Sequence, residues 1–213
     1  MPTLDYVEGF YVYLRKPKGE LYMKHQHFEP NNKIENLINE YEAMCRTGSV
    51  GFFDQMAFQQ MLDYYERGNQ LQKALELVEH ALTQHSYSEF FFIRKAQICL
   101  VQGKSDQALE ACDMAAGLAP NELEIFLLRI EALVRSEDKE AFSQAVADAL
   151  AVCESARERA EVYLTEGSCW EMREDYKRAY RSFRRSLLLH PENELVLDRV
   201  WLCVEMCQNY EAS

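Results

Sequence analysis

Residues 89–122 read EFFFIRKAQICLVQGKSDQALEACDMAAGLAPNE, and this stretch decides the fold. Its apolar side chains recur at intervals of three and four residues in two runs, which is the spacing of one face of an α-helix. A polar turn at 103–105 separates the runs, and Pro120 follows the second run. Ser105 has the chemistry of a helix N-cap, and a proline ends the helix that precedes it. The stretch therefore predicts two amphipathic helices joined by a short turn.

The same pattern recurs along the chain at a fixed interval. Two sets of residues spaced by 34 positions show it: Phe58, Phe92 and Phe126, and Ala81, Ala115 and Ala149. The fourth unit follows after 37 positions, at Tyr163, and a partial fifth follows after a further 34, at Leu197. A period of this length is the signature of stacked helical repeats. We expect the three inserted residues to lie near 153–155, in a loop.

The period divides the chain into an N-terminal extension at 1–50 and a solenoid at 54–208. We place the repeats at about 55–88, 89–122, 123–156 and 160–193, with a partial fifth at 194–213. In the extension, helical spacing predicts a helix over 32–46, and two β-prone runs around a Pro–Gly turn predict a hairpin over 9–28. At the other end, the apolar faces of the last helix favour a chain cut within a longer array over a terminal cap with a polar outer surface.

Composition narrows the classes of function. The 213 residues include 23 Lys and Arg against 35 Asp and Glu, which gives a net charge of −12. A surface this acidic repels nucleic acids and anionic membranes, so we expect neither as a partner. The seven cysteines show no C-x-x-C spacing, and the N-terminus lacks the basic and apolar segments of a signal peptide. These features predict reduced thiols and a cytoplasmic protein.

Sequence motifs for catalysis are missing. The chain has no Gly-rich phosphate loop, no H-E-x-x-H and no G-x-S-x-G. No combination of nucleophile, base and orienting group is recognisable in the pattern. We therefore predict that the protein is not an enzyme and that it uses neither a cofactor nor a metal ion.

The sequence resembles the tetratricopeptide repeat family. Two units carry the family's aromatic, small, turn, alanine and proline positions: Phe92, Ala96, Gly103, Ala108, Ala115 and Pro120 in the second, and Tyr163, Gly167, Trp170, Tyr176, Ala179, Phe183 and Pro191 in the fourth. The third unit departs from the pattern at Arg129, Ile130 and Phe142. The resemblance covers about 55–208. It implies an all-α fold, a right-handed superhelical solenoid of antiparallel helix pairs with about four repeats and a terminal helix.

In this family, the first helices of the pairs line a concave groove that binds a peptide or a partner helix. The resemblance places twelve residues at the groove-facing columns: Gln59, Asp63, Glu66, Ile93, Gln97, Leu100, Leu127, Glu131, Val134, Leu164, Ser168 and Glu171. The middle of this set is apolar and its edges are acidic, which suits a basic or amphipathic protein segment. Core packing alone would also explain the aliphatic members. The resemblance implies a non-enzymatic interaction scaffold that binds a partner segment in the groove.

Two other functions remain open. In one, the chain is a structural, self-assembling module of a longer repeat array. In the other, it is a ligand-regulated sensor whose residues 1–50 fold into the groove as a lid. The apolar surface of the last helix also predicts association of two copies, through the C-terminal helix or through the groove.

One helix of this acidic chain is basic. The second helix of the fourth unit carries five cations: Lys177, Arg178, Arg181, Arg184 and Arg185. Three of them, Arg181, Arg184 and Arg185, share a face at intervals of three and four residues. One interpretation is a solvated outer surface that balances neighbouring acids. The other is a docking patch for an acidic partner segment.

Overall fold

The computed structural model describes residues 32–48, 51–136 and 138–211. The hairpin predicted over 9–28 lies outside the described residues. The chain divides into two compact units between Gly51 and Phe52. Of the N-terminal unit, the structure describes helix α1 (Asn32–Thr47), on which Ile38 and Tyr41 are buried.

The second unit is an all-α, right-handed solenoid of antiparallel helix pairs, as the sequence predicts. Its helices are α2 (Gln55–Arg67), α3 (Leu71–Gln84), α4 (Glu89–Val101), α5 (Ser105–Leu118), α6 (Leu123–Ala132), α7 (Lys139–Val152), α8 (Ala156–Met172), α9 (Tyr176–Leu189) and α10 (Glu194–Glu211), with a 3₁₀ turn (Leu133–Arg135) after α6. Four pairs, from α2–α3 to α8–α9, are followed by α10. Each second helix also packs on the first helix of the next pair, so one hydrophobic core continues along the array.

In three of the pairs, the turn contains a residue with a left-handed backbone conformation. This residue occupies the same position of the repeat each time, and we call such a set of equivalent positions a column. Asn69, Gly103 and Glu174 have φ angles of 51°, 72° and 57°. In each turn the following N–H donates a hydrogen bond of 2.8 to 2.9 Å to the carbonyl five residues earlier, which closes the end of the first helix. Glycine adopts this conformation without steric cost, whereas a glutamate does not. The backbone conformation at this position is therefore kept in every one of these turns, even where the residue, as at Glu174, adopts it at a steric cost.

Close approach of two helices depends on a small residue in the fourth pair. Gly167 of α8 lies against the ring of Phe183 of α9, and both are buried. A Cβ atom at Gly167 would lie 2.5 Å from Cδ1 of Phe183. Such a distance is far shorter than a van der Waals contact, so glycine is the residue that allows this helix pair to close.

The third pair is formed, although its sequence departs from the repeat pattern. Ile130 and Phe142, which replace small residues, are both buried. The ring of Phe142 packs edge-on against Trp170 of the next unit at a centroid distance of 5.1 Å. Helix α6 has 10 residues, against 13 in α4, and ends in the 3₁₀ turn. The α-helix and the 3₁₀ turn together span the same 13 positions as α4, so only the last turn of this first helix changes its form.

Residues 153–155 lie in the connection before α8, as expected, but the extra length of the fourth unit is taken up by the helix that follows them. Helix α8 has 17 residues, against 13 in α4, while the connection before it is short. The added turn is held by a capping box. Ser155 Oγ accepts a hydrogen bond from the N–H of Glu158 (3.1 Å), and the Glu158 carboxylate accepts one from the N–H of Ser155 (3.0 Å).

The N-caps of the second helices also lie in one column. Asp175 is the N-cap of α9, and its carboxylate accepts a hydrogen bond from the N–H of Arg178 (3.0 Å). Ser105 is not an N-cap, contrary to the prediction, because Lys104 holds that position and Ser105 is the first residue of α5. Lys104 and Asp175 are equivalent in the repeat, so the backbone turn, and not the better capping side chain, sets the start of the helix.

Candidate partner-binding groove

Eleven of the twelve residues predicted to line the groove lie on the first helices, and Val134 lies in the 3₁₀ turn that follows α6. Consecutive first helices approach one another in this region, since α4 packs on α6 and α6 on α8. The aliphatic members of the two middle pairs are all buried, with 5 to 8% of their surface exposed: Ile93, Leu100, Leu127 and Val134. Leu164 is half-buried. These side chains form the floor between the helices.

Most of the polar members are more accessible than the aliphatic ones, although Glu171 is buried. Asp63 is exposed, and four others are half-buried: Gln59, Gln97, Glu131 and Ser168. Carboxylate and amide oxygens accept hydrogen bonds, and carboxylates attract cations. The surface above the aliphatic floor is therefore a set of hydrogen-bond acceptors with negative charge.

A buried arginine that the sequence analysis did not identify ties the first two units together. Arg94 of α4 is buried, and its guanidinium donates hydrogen bonds to Asp63 (3.1 Å) and to Glu66, both on α2. Burial is the largest influence on Glu66 and raises the pKa of its carboxyl, while the charge of Arg94 lowers it. Two of the predicted groove acids are thus already engaged by an internal cation.

The polar network continues onto the third unit. Arg94 lies 3.5 Å from the amide oxygen of Gln97, and the Gln97 amide donates a hydrogen bond of 2.7 Å to the carboxylate of Glu124 on α6. The network therefore connects α2, α4 and α6. It holds three first helices in register along the predicted groove.

The far end of the groove repeats the first ion pair. Arg199 of α10 donates to Glu171 of α8 at 2.7 Å, and the two are 28 residues apart, as are Glu66 and Arg94. Burial is again the largest influence and raises the pKa of Glu171. Its second oxygen has no hydrogen-bond partner among the described residues. An acid followed by an arginine 28 positions later is the sequence signal that would have identified both pairs.

Arg173, which also escaped the sequence analysis, fastens the fourth unit to the third. Its guanidinium donates to the carbonyls of Leu133 (2.9 Å), Val134 and Ser136 (3.1 Å), which end the first helix of the third pair. It also stacks over the rings of Phe142 (4.7 Å) and Trp170 (5.1 Å). The backbone carbonyls that follow the end of α6 have no partner within the helix, and they accept hydrogen bonds from the guanidinium of Arg173 in the next unit.

The basic cluster lies on α9 and all five of its residues are exposed. Arg178 stacks on the Trp170 ring at 4.6 Å and pairs with Asp175 at 3.2 Å, and Arg185 lies 5.5 Å from the Tyr163 ring. Arg181 and Arg184 form no ion pair with any residue that the structure describes. The cluster is therefore divided between cations that pack on the fold and cations directed to solvent.

Other chemistry in the described residues is limited. The seven cysteines are free, and burial raises the pKa of the Cys112 and Cys203 thiols to about 12. Within residues 32–48, 51–136 and 138–211 there is no group of three metal-ligating side chains, and no helix there has the length and apolar character needed to cross a bilayer. Helix α10 exposes Leu197 (47%) and Trp201 (63%).

Comparison with known proteins identifies the fold. No family model and no curated protein matches the sequence. Among solved structures, the chain is similar to TTC0263, a tetratricopeptide repeat protein of Thermus thermophilus, with a TM-score of 0.60 and 12% identity over 81% of this chain and 91% of that one. A tetratricopeptide repeat protein of Parabacteroides merdae gives a TM-score of 0.60 and 16% identity over 84% of this chain and 75% of that one.

A third similar structure is YrrB, a tetratricopeptide repeat protein with an unusual peptide-binding site. Its TM-score is 0.57 and its identity 16%, over 78% of this chain and 83% of that one. At such low identities, similarity establishes the fold and leaves the ligand open. The resemblance seen in the sequence is thereby confirmed, and the chain has the fold of the tetratricopeptide repeat proteins.

Proposed function

We propose that the protein is a non-enzymatic interaction scaffold that binds a basic or amphipathic protein segment along the first helices. The observation that carries the proposal is the arrangement of the exposed carboxylate of Asp63 and the half-buried carboxylate of Glu131 above a floor of buried aliphatic side chains. A segment with Lys or Arg would pair with these carboxylates, and its aliphatic residues would contact the floor. The peptide-binding site of YrrB, which has the same fold, supports this kind of partner.

The internal ion pairs suggest which residues would contact the segment. Arg94 pairs with both Glu66 and Asp63, and Arg199 pairs with Glu171. Glu66 and Glu171 would contribute mainly to the spacing of the helices, whereas Asp63 keeps 55% of its side-chain surface exposed. Gln59, Asp63, Gln97, Glu131 and Ser168 remain as the contact residues of the proposed groove. The aliphatic residues pack between the first helices and would also form the floor of the groove. The two interpretations of the sequence pattern, core packing and groove lining, are therefore compatible.

A selection experiment tests the proposal without a known partner. A phage-displayed library of random dodecapeptides is selected on the purified chain, and we expect the bound peptides to be enriched in Lys and Arg. The best peptide is then measured on the variant Asp63→Asn with Glu131→Gln. We expect its affinity to fall by about tenfold, which corresponds to about 1.4 kcal/mol.

The matched control neutralises two carboxylates outside the groove. Glu76→Gln with Asp148→Asn changes the net charge equally, and both positions are exposed on second helices. This variant should keep the wild-type affinity. Selected peptides without cations, or an equal loss of affinity in the control, would contradict the proposal.

We also propose that the scaffold is cytoplasmic. The free cysteines and the high pKa of the buried Cys112 and Cys203 thiols are compatible with a reducing compartment, because such thiols neither pair nor react readily. Fluorescence microscopy of the tagged chain in its host would check the location. A signal confined to an extracytoplasmic compartment would contradict it.

A further inference from the structure

The outer face of the second helices changes sign along the solenoid. Helices α5 and α9 are two units apart, so residues 71 positions apart occupy the same column. All six residues in three of these columns are exposed: Asp106, Glu110 and Asp113 on α5, and Lys177, Arg181 and Arg184 on α9. The two helices therefore present charges of opposite sign with identical spacing.

The helix between them has small residues on its outer face. In the same three columns, α7 carries Glu140, Gln144 and Ala147, and Ala151 follows one helical turn after Ala147. All four residues are exposed. Because consecutive units repeat the same packing, the outer faces of α5, α7 and α9 point to the same side of the solenoid. Alanine side chains let another helix approach α7 more closely than long ones would.

Most of these charges are not used inside the chain. Arg181 and Arg184 on α9, and Asp106 and Glu110 on α5, form no ion pair with other residues in the described part of the chain. Asp113 differs, since it accepts a hydrogen bond from Arg129 at 2.6 Å. Two cations and two anions thus remain available for a contact outside the molecule.

From this complementarity we infer that two copies of the chain associate through their outer faces. Helix α5 of one copy lies against α9 of the second copy, α9 of the first lies against α5 of the second, and the two α7 helices meet at a two-fold axis. Such an arrangement is isologous, so each contact occurs twice and the assembly closes as a dimer. The identical spacing of the acids and bases lets Glu110 meet Arg181 in both halves. Pairing of opposite charges also selects this orientation over the alternatives.

The first measurement is the mass of the full chain in solution as a function of salt. Sedimentation equilibrium at about 20 mM and about 300 mM salt compares weak with strong screening of exposed charges. We expect twice the mass of one chain at low salt and a dissociation constant at least about tenfold larger at high salt. A single-chain mass at low salt and at protein concentrations near 100 µM would overturn the inference.

Charge reversal then identifies the surfaces. The variant Arg181→Glu with Arg184→Glu has two acidic outer faces, and the variant Asp106→Lys with Glu110→Lys has two basic ones. Each should be a monomer at low salt. An equimolar mixture should form a dimer of one copy of each, because every acidic face then meets a basic face. Absence of this mixed dimer would overturn the assignment of α5 as the partner of α9.

Two controls distinguish this surface from the rest of the molecular surface. Arg67→Glu with Arg157→Glu changes the net charge as much as the α9 variant, at exposed positions away from the outer columns, and should leave the dimer intact. Trp201→Lys tests the apolar surface of α10, and a loss of the dimer in this variant would place the contact there instead. Binding of an acidic peptide or of anionic vesicles by a chain that stays monomeric would also overturn the inference. Far-UV circular dichroism verifies that each variant is folded.

Discussion

Glu171 and Arg199 form a buried ion pair of 2.7 Å that repeats, at the same two columns of the solenoid, the pair formed by Glu66 and Arg94. Between these ends of the array, the corresponding columns hold Leu100 and Leu128, which are both buried. The remaining position, between the third and fourth pairs, holds Val134 and Thr165. The ends of the array therefore use an acid with its arginine, while the two middle positions are filled without an ion pair.

The pH dependence of stability should reveal the buried carboxylates. Burial raises the pKa of Glu66 and Glu171 above the ordinary value of 4.5. Between that value and the raised one, the folded chain binds more protons than the unfolded chain, so these groups make the free energy of unfolding decrease as pH rises. The difference in free energy of unfolding, Glu171→Gln minus wild type, should therefore increase from about pH 4 to about pH 7 in urea titrations.

Glu158 provides a control of opposite sign. The backbone N–H groups of Ser155 and Glu154 donate to its carboxylate and lower its pKa, and they do so in the folded chain. Its stabilising effect is complete above 4.5 and is lost as pH falls through the lower, folded value. The free energy of unfolding of Glu158→Gln minus that of wild type should therefore decrease as pH rises. Equal trends in the two variants would contradict the assignment.

Gly167→Ala should destabilise the fourth pair. The added Cβ would lie 2.5 Å from Phe183, whose ring is fully buried and cannot turn away. Overpacking of this kind costs about 1 to 3 kcal/mol, against a gain in helix propensity of about 1 kcal/mol. We expect a net loss of about 1 kcal/mol or more in urea unfolding.

Gly117→Ala is the matched control for that substitution. Gly117 also lies within a helix, α5, but it is exposed and an added Cβ meets no atom within 4 Å. This change should stabilise the chain by up to about 1 kcal/mol, because alanine is the better helix former. If both glycines responded alike, the contact with Phe183 would not be the cause.

Arg173→Met should weaken the junction between the third and fourth pairs. It removes the charged donor for the carbonyls of Leu133, Val134 and Ser136, and the stacking on Phe142. Hydrogen bonds to a charged group contribute about 1.5 to 3 kcal/mol each, and partial replacement by water leaves an expected loss of about 2 to 4 kcal/mol. Hydrogen exchange should accelerate in the 3₁₀ turn before it does so in α2.

Arg178→Met tests whether the loss belongs to the carbonyl contacts. Arg178 also stacks on Trp170, but it is exposed and pairs only with Asp175 among the described residues. Removing a stacked surface cation and an exposed ion pair should cost less than about 1 kcal/mol. Equal losses for Arg173→Met and Arg178→Met would show that stacking on Trp170, and not the support of the 3₁₀ turn, is the larger contribution.

Glu174→Gly should stabilise the turn between α8 and α9. Glu174 has φ of 57°, which costs a residue with a side chain about 1 to 2 kcal/mol, and the greater freedom of glycine in the unfolded chain offsets part of the gain. We expect an increase in the free energy of unfolding of about 0.5 to 1 kcal/mol. The reciprocal change, Gly103→Ala, lies in the same column and should lower it by about 1 kcal/mol. A gain in both variants would contradict this explanation.

The dodecapeptide selection and the charge-reversal dimer address different faces of the molecule. Loss of peptide binding in the Asp63 and Glu131 variant concerns the first helices, while the mixed dimer concerns α5 and α9. Each result can therefore fail without affecting the other.

The sequence by itself determined the helix pairs, because a period of 34 residues and one apolar face per helix are local properties of the chain. It also determined the polar turn at 103–105, while the left-handed conformation of Gly103 was seen only in the structure. The position of the N-cap at Lys104 and the added turn of α8 depended on the backbone of the repeat and on the capping box, which a reading of residue types alone misassigned.

Only the tertiary structure decided how the groove columns are used. In the sequence, Glu66 and Glu171 read as groove acids without a partner, and Ile93 and Leu127 could be either groove lining or core packing. Packing brought Arg94 and Arg199 onto the acids and buried the aliphatic residues. Contacts between residues 28 positions apart, in neighbouring units, depend on how closely the pairs stack. Helical periodicity specifies which face of a helix turns inward, but the partner that meets each side chain is set by the distance between helices, and that distance exists only in the folded chain.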